Sequence, residues 1–202
     1  MAMNERSTLL LTLPGIARKP CRPGDPAHSE WQAWLQADAA CADFGAVMER
    51  ARSGLSIVLD ESALTGDPAR KARVEGLAAA ALLFDGLMNA RRDMQAGREP
   101  LLPAAELERF LVIPEQIRTG TVDFAWRRFV EAYAQRLFAL LQAAAPLGKG
   151  WVGGFSHRLA IVLLERHVNT LKKHPEAAFE DRPPRLALAD WPPLAWRVIR
   201  TG

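Results

Sequence analysis

One stretch constrains this chain more than any other. Residues 76–88 read GLAAAALLFDGLM, and Asp85 is the only charged residue among them. Upstream stands Asp67-Pro68, an N-cap followed by proline at the first helical position, which predicts a helix over about 68–96. Val74, Leu77, Ala81, Phe84 and Met88 recur at intervals of three and four, while Ala78, Leu82, Leu83 and Leu87 spread the apolar stripe beyond one face. A helix that is apolar all round has to be surrounded by other elements. The remaining segments are therefore expected to pack around this one. Its C-terminal part turns polar at Asn89, Arg91, Arg92 and Asp93, and Gly97 closes it.

The flanking sequence supplies those partners. Ser29 followed by Glu30 starts a helical pattern that continues through Trp31, Trp34 and Leu35 and then Phe44, Val47, Met48 and Ala51. Gly45 divides it into about 29–38 and 39–53, and Ser53-Gly54 is the expected stop. Residues 55–59, LSIVL, read either as a buried strand or as a packed connector. Pro103 opens a short helix that Pro114 ends, with a turn over 114–120. Thr121 is the expected cap of a helix over 121–145, striped by Trp126, Val130, Tyr133, Leu137, Leu140 and Leu141. Within it Asp123 precedes Arg127 by four, a favourable helical pair. After the loop PLGKGWVGG, 146–154, Ser156 is the expected cap of a last helix through Lys173. Ile161, Leu164, Val168 and Leu171 share one of its faces, and Lys172, Lys173 and His174 suit its C-terminal dipole.

Both ends differ from this body. Residues 14–28 contain Pro14, Pro20, Pro23 and Pro26 and read as a linker behind the short apolar segment 7–13, itself a strand or an ordered arm. Beyond 175 the chain carries two proline pairs with Trp191 and Trp196 and is expected to be extended. The predicted architecture is all-α: a single helical domain of five to six helices over 29–175, an irregular N-terminal arm over 1–28, and a Pro/Trp-rich C-terminal tail over 176–202. Thirty-four alanines in 202 residues agree with that class. No internal repeat is present.

Several functions are disfavoured by composition. Two cysteines, Cys21 and Cys41, do not make a disulfide scaffold or a four-cysteine zinc site. No apolar run reaches the ~18 residues of a membrane span. Glu5 and the short apolar run beside it do not fit a secretory signal, so a cytoplasmic protein is expected.

Catalytic and metal motifs are also missing from the sequence. His28, His157, His167 and His174 match no zinc spacing, and His157 heads an apolar stripe. Cys41 reads as a small buried apolar residue, while Cys21 lies in the basic linker. PLGKGWVGG lacks the phosphate-loop spacing, because Gly150 rather than Ser or Thr follows Lys149. Asp85 is either a buried acid with a chemical role or a residue at the bundle edge, near Asn89 or paired with an arginine. Asp60-Glu61 and Glu180-Asp181 are adjacent acids but not catalytic pairs. No catalytic residue, cofactor or metal site is assigned, and the protein is expected to be no enzyme.

Two binding classes remain. The net charge of +3 hides an asymmetry, because residues 121–202 carry twelve basic and seven acidic side chains. Arg127, Arg128, Arg158, Arg166, Lys172, Lys173, Arg182 and Arg185 are candidates for nucleic-acid contact, as in a basic accessory subunit of a mobile-element or CRISPR-type complex. Acids alternate with them, however, as on a solvated surface. The second class is protein association. Six tryptophans and 21 arginines accompany the absence of a catalytic motif, and both types are enriched at interface hot spots. Trp31, Trp34, Trp191, Trp196 and Arg197 are the candidate partner-interface residues; core packing is the competing use of the same aromatics.

The succession IVLDESALTGDP at 57–68, GLAAAALLFDGLMNARRDMQAG at 76–97, ELERFL at 106–111 and EAYAQRLFALLQAAAP at 131–146 resembles the helical adaptor proteins of bacterial type III secretion sorting platforms. The N-terminal segment departs from that family's aromatic-proline start. The resemblance implies a non-enzymatic adaptor with acidic or hydrophobic protein partners and no cofactor.

Overall fold

The computed structural model describes residues 24–38, 40–60, 67–149 and 154–180. Every element among them is helical: α1 Pro26–Gln36, α2 Phe44–Val58, α3 Pro68–Gln95, α4 Ala104–Arg109, α5 Pro114–Thr119, α6 Phe124–Ala144 and α7 Phe155–Lys173. Two 3-10 turns, Ala145–Gly148 and Pro175–Phe179, complete them. The expected all-α class is therefore the observed one.

The Asp67-Pro68 signal behaves as its chemistry dictates. The Asp67 carboxylate accepts the Arg70 N–H at 2.8 Å, and Pro68 opens the first turn of α3. At 28 residues, α3 is about 42 Å long. Every residue from Leu77 to Asp85 is buried, on all sides of the helix. Helices α2, α5, α6 and α7 and the turn Pro175–Phe179 all pack against it. Gly97, at φ +70°, ends it in the left-handed conformation that glycine adopts without strain.

The other boundaries are set by carboxylate caps that differ from the expected ones. Asp25 and Pro26, not Ser29, open α1, so the last residues of the supposed linker are helical. Asp123 rather than Thr121 caps α6, accepting the Trp126 N–H at 2.9 Å. The Arg127 partner inferred from spacing is thus a helix cap instead. Gly154, not Ser156, precedes α7. The expected turn over 114–120 is instead helix α5, Pro114–Thr119, because Pro114 suits a first helical turn and Gly120, at φ +76°, closes it.

Residues 55–58 are neither strand nor connector but the last turn of α2, and Leu59 is its C-cap. The helix runs through the expected stop at Ser53-Gly54 for a packing reason. The Trp34 indole lies so close to the Gly54 backbone that a Cβ there would meet its ring at 2.7 Å. Gly54 therefore makes room for a neighbour inside a continuous helix.

The C-terminal boundary also moves. Trp126 donates its indole N–H to the Pro175 carbonyl at 3.1 Å and stacks on Phe179 with centroids 4.5 Å apart. Residues 175–179 belong to the body, against the expectation of an extended tail from 176. Segment 7–13, Cys21, and the tail residues Arg182, Arg185, Trp191, Trp196 and Arg197 lie outside the described residues.

Candidate functional site

Trp31 is 0% exposed, so it is a core residue and not the partner contact expected of it. It stacks on Trp34 with centroids 5.0 Å apart and rings 6° from parallel. Trp34 is half-buried and engaged within the chain: its N–H donates to Ser53 Oγ at 3.0 Å, and Arg50 lies 4.9 Å from its ring centre. The shared reason is their spacing, because positions three apart on α1 both face α2.

Asp85 and Asp93 line a cavity of about 30 Å³ with Arg50, Asn89 and Arg98. Asn89 donates to the Asp85 carbonyl at 2.7 Å, and Arg98 pairs with Asp93 at 2.8 Å. A space of this size accommodates a water molecule, not a substrate. Cys41 is buried, and burial pushes its thiol above the ordinary range. His167 packs on Phe84, centroids 5.8 Å apart, and burial, then the Arg166 charge, lowers its pKa. His157 is buried near the start of α7. Among the described residues, no three His, Cys, Asp or Glu side chains converge on a metal position, and no helix is long and apolar enough to cross a membrane.

The described basic residues proposed for phosphate contact differ in exposure and pairing. Arg158 is 4% exposed and donates to the Gly148 carbonyl, where it fastens the 3-10 turn to α7; this is a correction to its expected role. Lys172 is exposed but lies 3.5 Å from Glu131. Arg127 is exposed and close enough to Glu176 to help keep that carboxyl below its ordinary range, after the Glu176 backbone hydrogen bond and the interaction with His174. Arg166 is partly exposed, Lys173 is exposed, and Arg128 turns into a different feature.

That feature is an open groove of about 500 Å³ between α4 and α6. It is lined by Glu106, Arg109 and Phe110 from α4 and its cap, and by Arg128, Glu131, Ala132, Gln135, Arg136 and Ala139 from α6. Glu106 pairs with Arg136, whose guanidinium also lies 4.5 Å from the Phe44 ring centre. Arg109 lies 5.6 Å from the Phe110 ring centre, and Arg128 lies 5.6 Å from that of Phe124. Among the described residues these two arginines make no ion pair.

An apolar rim adjoins the groove. Leu111 is 78% exposed, Ile113 is 56% and Phe124 is 74%. A relay holds Ile113 and Phe124 at the same corner. Gln116 accepts the Ile113 N–H at 2.8 Å and donates to Asp123, the cap beside Phe124. Leu111 adds strain to exposure. The Val112 N–H reaches Leu107 O at 2.8 Å and the Leu111 N–H reaches Glu108 O at 2.9 Å, the paired bonds of a Schellman ending. The position between helix and exit needs the left-handed conformation that glycine usually supplies; here Leu111 occupies it at φ +61°. A leucine there costs about 1 kcal/mol relative to the right-handed region.

No family model and no curated protein matches the chain. The groove and its rim therefore carry the functional argument on their own. Sequence reading missed both Leu111 and Phe124. Phe124 was findable: it stands two positions before Trp126, about 200° round the helix from the buried stripe. Leu111 left no signal, because leucine is an unusual occupant of a helix-ending position.

Proposed function

We propose that the protein is a non-enzymatic helical adaptor in the bacterial cytoplasm. In this reading it joins other proteins in a larger assembly through the α4–α6 groove and its rim. The resemblance noted in the sequence makes a type III secretion sorting platform the assembly of first choice. The observation that carries the reading is Leu111, a large apolar side chain that is 78% exposed and held at φ +61°. The left-handed backbone closes the helix, but the leucine side chain adds strain and buries almost nothing, whereas a partner that covers it removes apolar surface from water. Ile113, two positions on, and Phe124, beside the cap Asp123 that Gln116 links to Ile113, are further exposed apolar side chains.

The competing reading, a nucleic-acid-binding subunit, has less support. Of its described candidate residues, Arg158 is buried and Lys172 is paired with Glu131. Affinity capture from native cells separates the two. Capture of a discrete set of proteins by the full chain, lost in Leu111→Asp/Phe124→Asp, is expected. Nuclease-sensitive capture of nucleic acid, unchanged in that variant, contradicts the adaptor reading.

A further inference from the structure

The groove holds an uneven set of charges. Its two carboxylates already have partners, Glu106 with Arg136 and Glu131 with Lys172. Among the described residues Arg109 and Arg128 have none, and they are exposed. Each instead lies close to the ring of a phenylalanine, Phe110 or Phe124. A guanidinium that meets a ring with its face keeps its N–H donors, which lie in its plane, available at the edge. Those donors match a carboxylate in geometry and charge. Large apolar side chains stand next to both, Leu111 beside Phe110 in the chain and Phe124 under Arg128.

We infer that the groove receives an acidic segment of a partner protein, with a large apolar side chain on the Leu111–Phe124 rim and carboxylates at Arg109 and Arg128. The inference rests on the adaptor reading and gives its partner a chemistry. Charge complementarity selects the occupant. Two unpaired cations beside two neutralised carboxylates suit discrete acidic residues. A nucleic-acid backbone fits less well, because two isolated arginines supply few of the phosphate contacts that carry its affinity. Leu111 also offers no flat face on which a base would stack, and the exposed Phe124 ring already meets Arg128. The groove is open along one side, unlike the enclosing pockets that bury most of a small ligand.

The test is selection from a displayed library of random short peptides against the full chain. Enriched peptides are expected to place Asp or Glu on both sides of a Leu, Phe or Trp. Their affinity, read by fluorescence anisotropy, is expected to fall about tenfold or more in Arg109→Glu/Arg128→Glu. The same peptides with Lys in place of the acids are expected to bind that variant better than the parent chain. Both substitutions lie on exposed positions, and an unchanged thermal melt verifies that the variant folds. Enrichment without acidic bias, no enrichment, or equal affinity for parent and variant overturns the inference. Tighter binding of a single-stranded oligonucleotide through the same two arginines overturns it in favour of nucleic acid. A protein partner that still depends on Leu111 and Phe124 but ignores the charge reversal leaves the adaptor reading standing without the acidic segment.

Discussion

The guanidinium of Arg128 lies 5.6 Å from the centre of the Phe124 ring, although Glu131 stands one helical turn away on the same helix. Glu131 pairs instead with Lys172 on α7. A cation over an exposed ring contributes about 0.5–1 kcal/mol, comparable to a surface ion pair. The arrangement keeps side by side an exposed aromatic and a groove-lining cation that has no ion-pair partner among the described residues. Neither helps to bury the core.

Leu111 gives the first prediction. If its position serves binding rather than folding, Leu111→Gly relieves left-handed strain without removing buried contacts. The glycine also loosens the unfolded chain, which offsets much of that relief, so a net gain of up to about 0.5 kcal/mol is expected. Urea titration of parent and variant measures it. A destabilisation of similar size would show that the Leu111 side chain supports the fold.

Two helical glycines should respond to alanine in opposite directions. At Gly76 an added Cβ meets nothing within 4 Å, so Gly76→Ala is expected to stabilise α3 by about 0.5–1 kcal/mol. At Gly54 the same Cβ would meet the Trp34 ring at 2.7 Å. Gly54→Ala is therefore expected to lower the melting temperature despite its better helix propensity, by pushing α1 off α2. Equal gains from both variants would contradict the described α1–α2 contact.

These elements also show what was legible from sequence. The charge-poor segment around Leu77–Phe84 declared a central helix, because no other packing hides apolar residues on every side. Asp67-Pro68 fixed its start through local chemistry alone. Gly54 misled, since a stop signal and a close approach look identical until Trp34 is placed beside it. Trp31 misled for a related reason: an aromatic on a helix fits a core and an interface equally well, and only the position of α2 decides. The groove was legible only in part. Arg128 was singled out as a basic residue, but its ring partner and the strain at Leu111 are tertiary and backbone properties.

His167 supplies a pH dependence. Burial, with the Arg166 charge second, holds its imidazole below the ordinary value of 6.5, so the folded protein favours the neutral ring. The unfolded chain takes up the proton first as pH falls. Stability from this group is complete above the ordinary value and is lost as pH falls through the lowered folded value. The urea midpoint is expected to be lower at about pH 5.5 than at about pH 7.5. In His167→Gln that difference is expected to shrink. An unchanged difference in the variant would assign the pH dependence to other groups.

The central claim is that the corner formed by Leu111 and Phe124 is covered by a protein in the cell. Photocrosslinking tests it most directly, with benzoylphenylalanine placed in turn at Leu111, at Phe124 and at the exposed control positions Ala143 and Lys71. After irradiation of native cells, Leu111 and Phe124 are expected to yield the same discrete protein adduct, and the controls are expected not to. Adducts to nucleic acid, or no adduct specific to Leu111 and Phe124, would contradict the account.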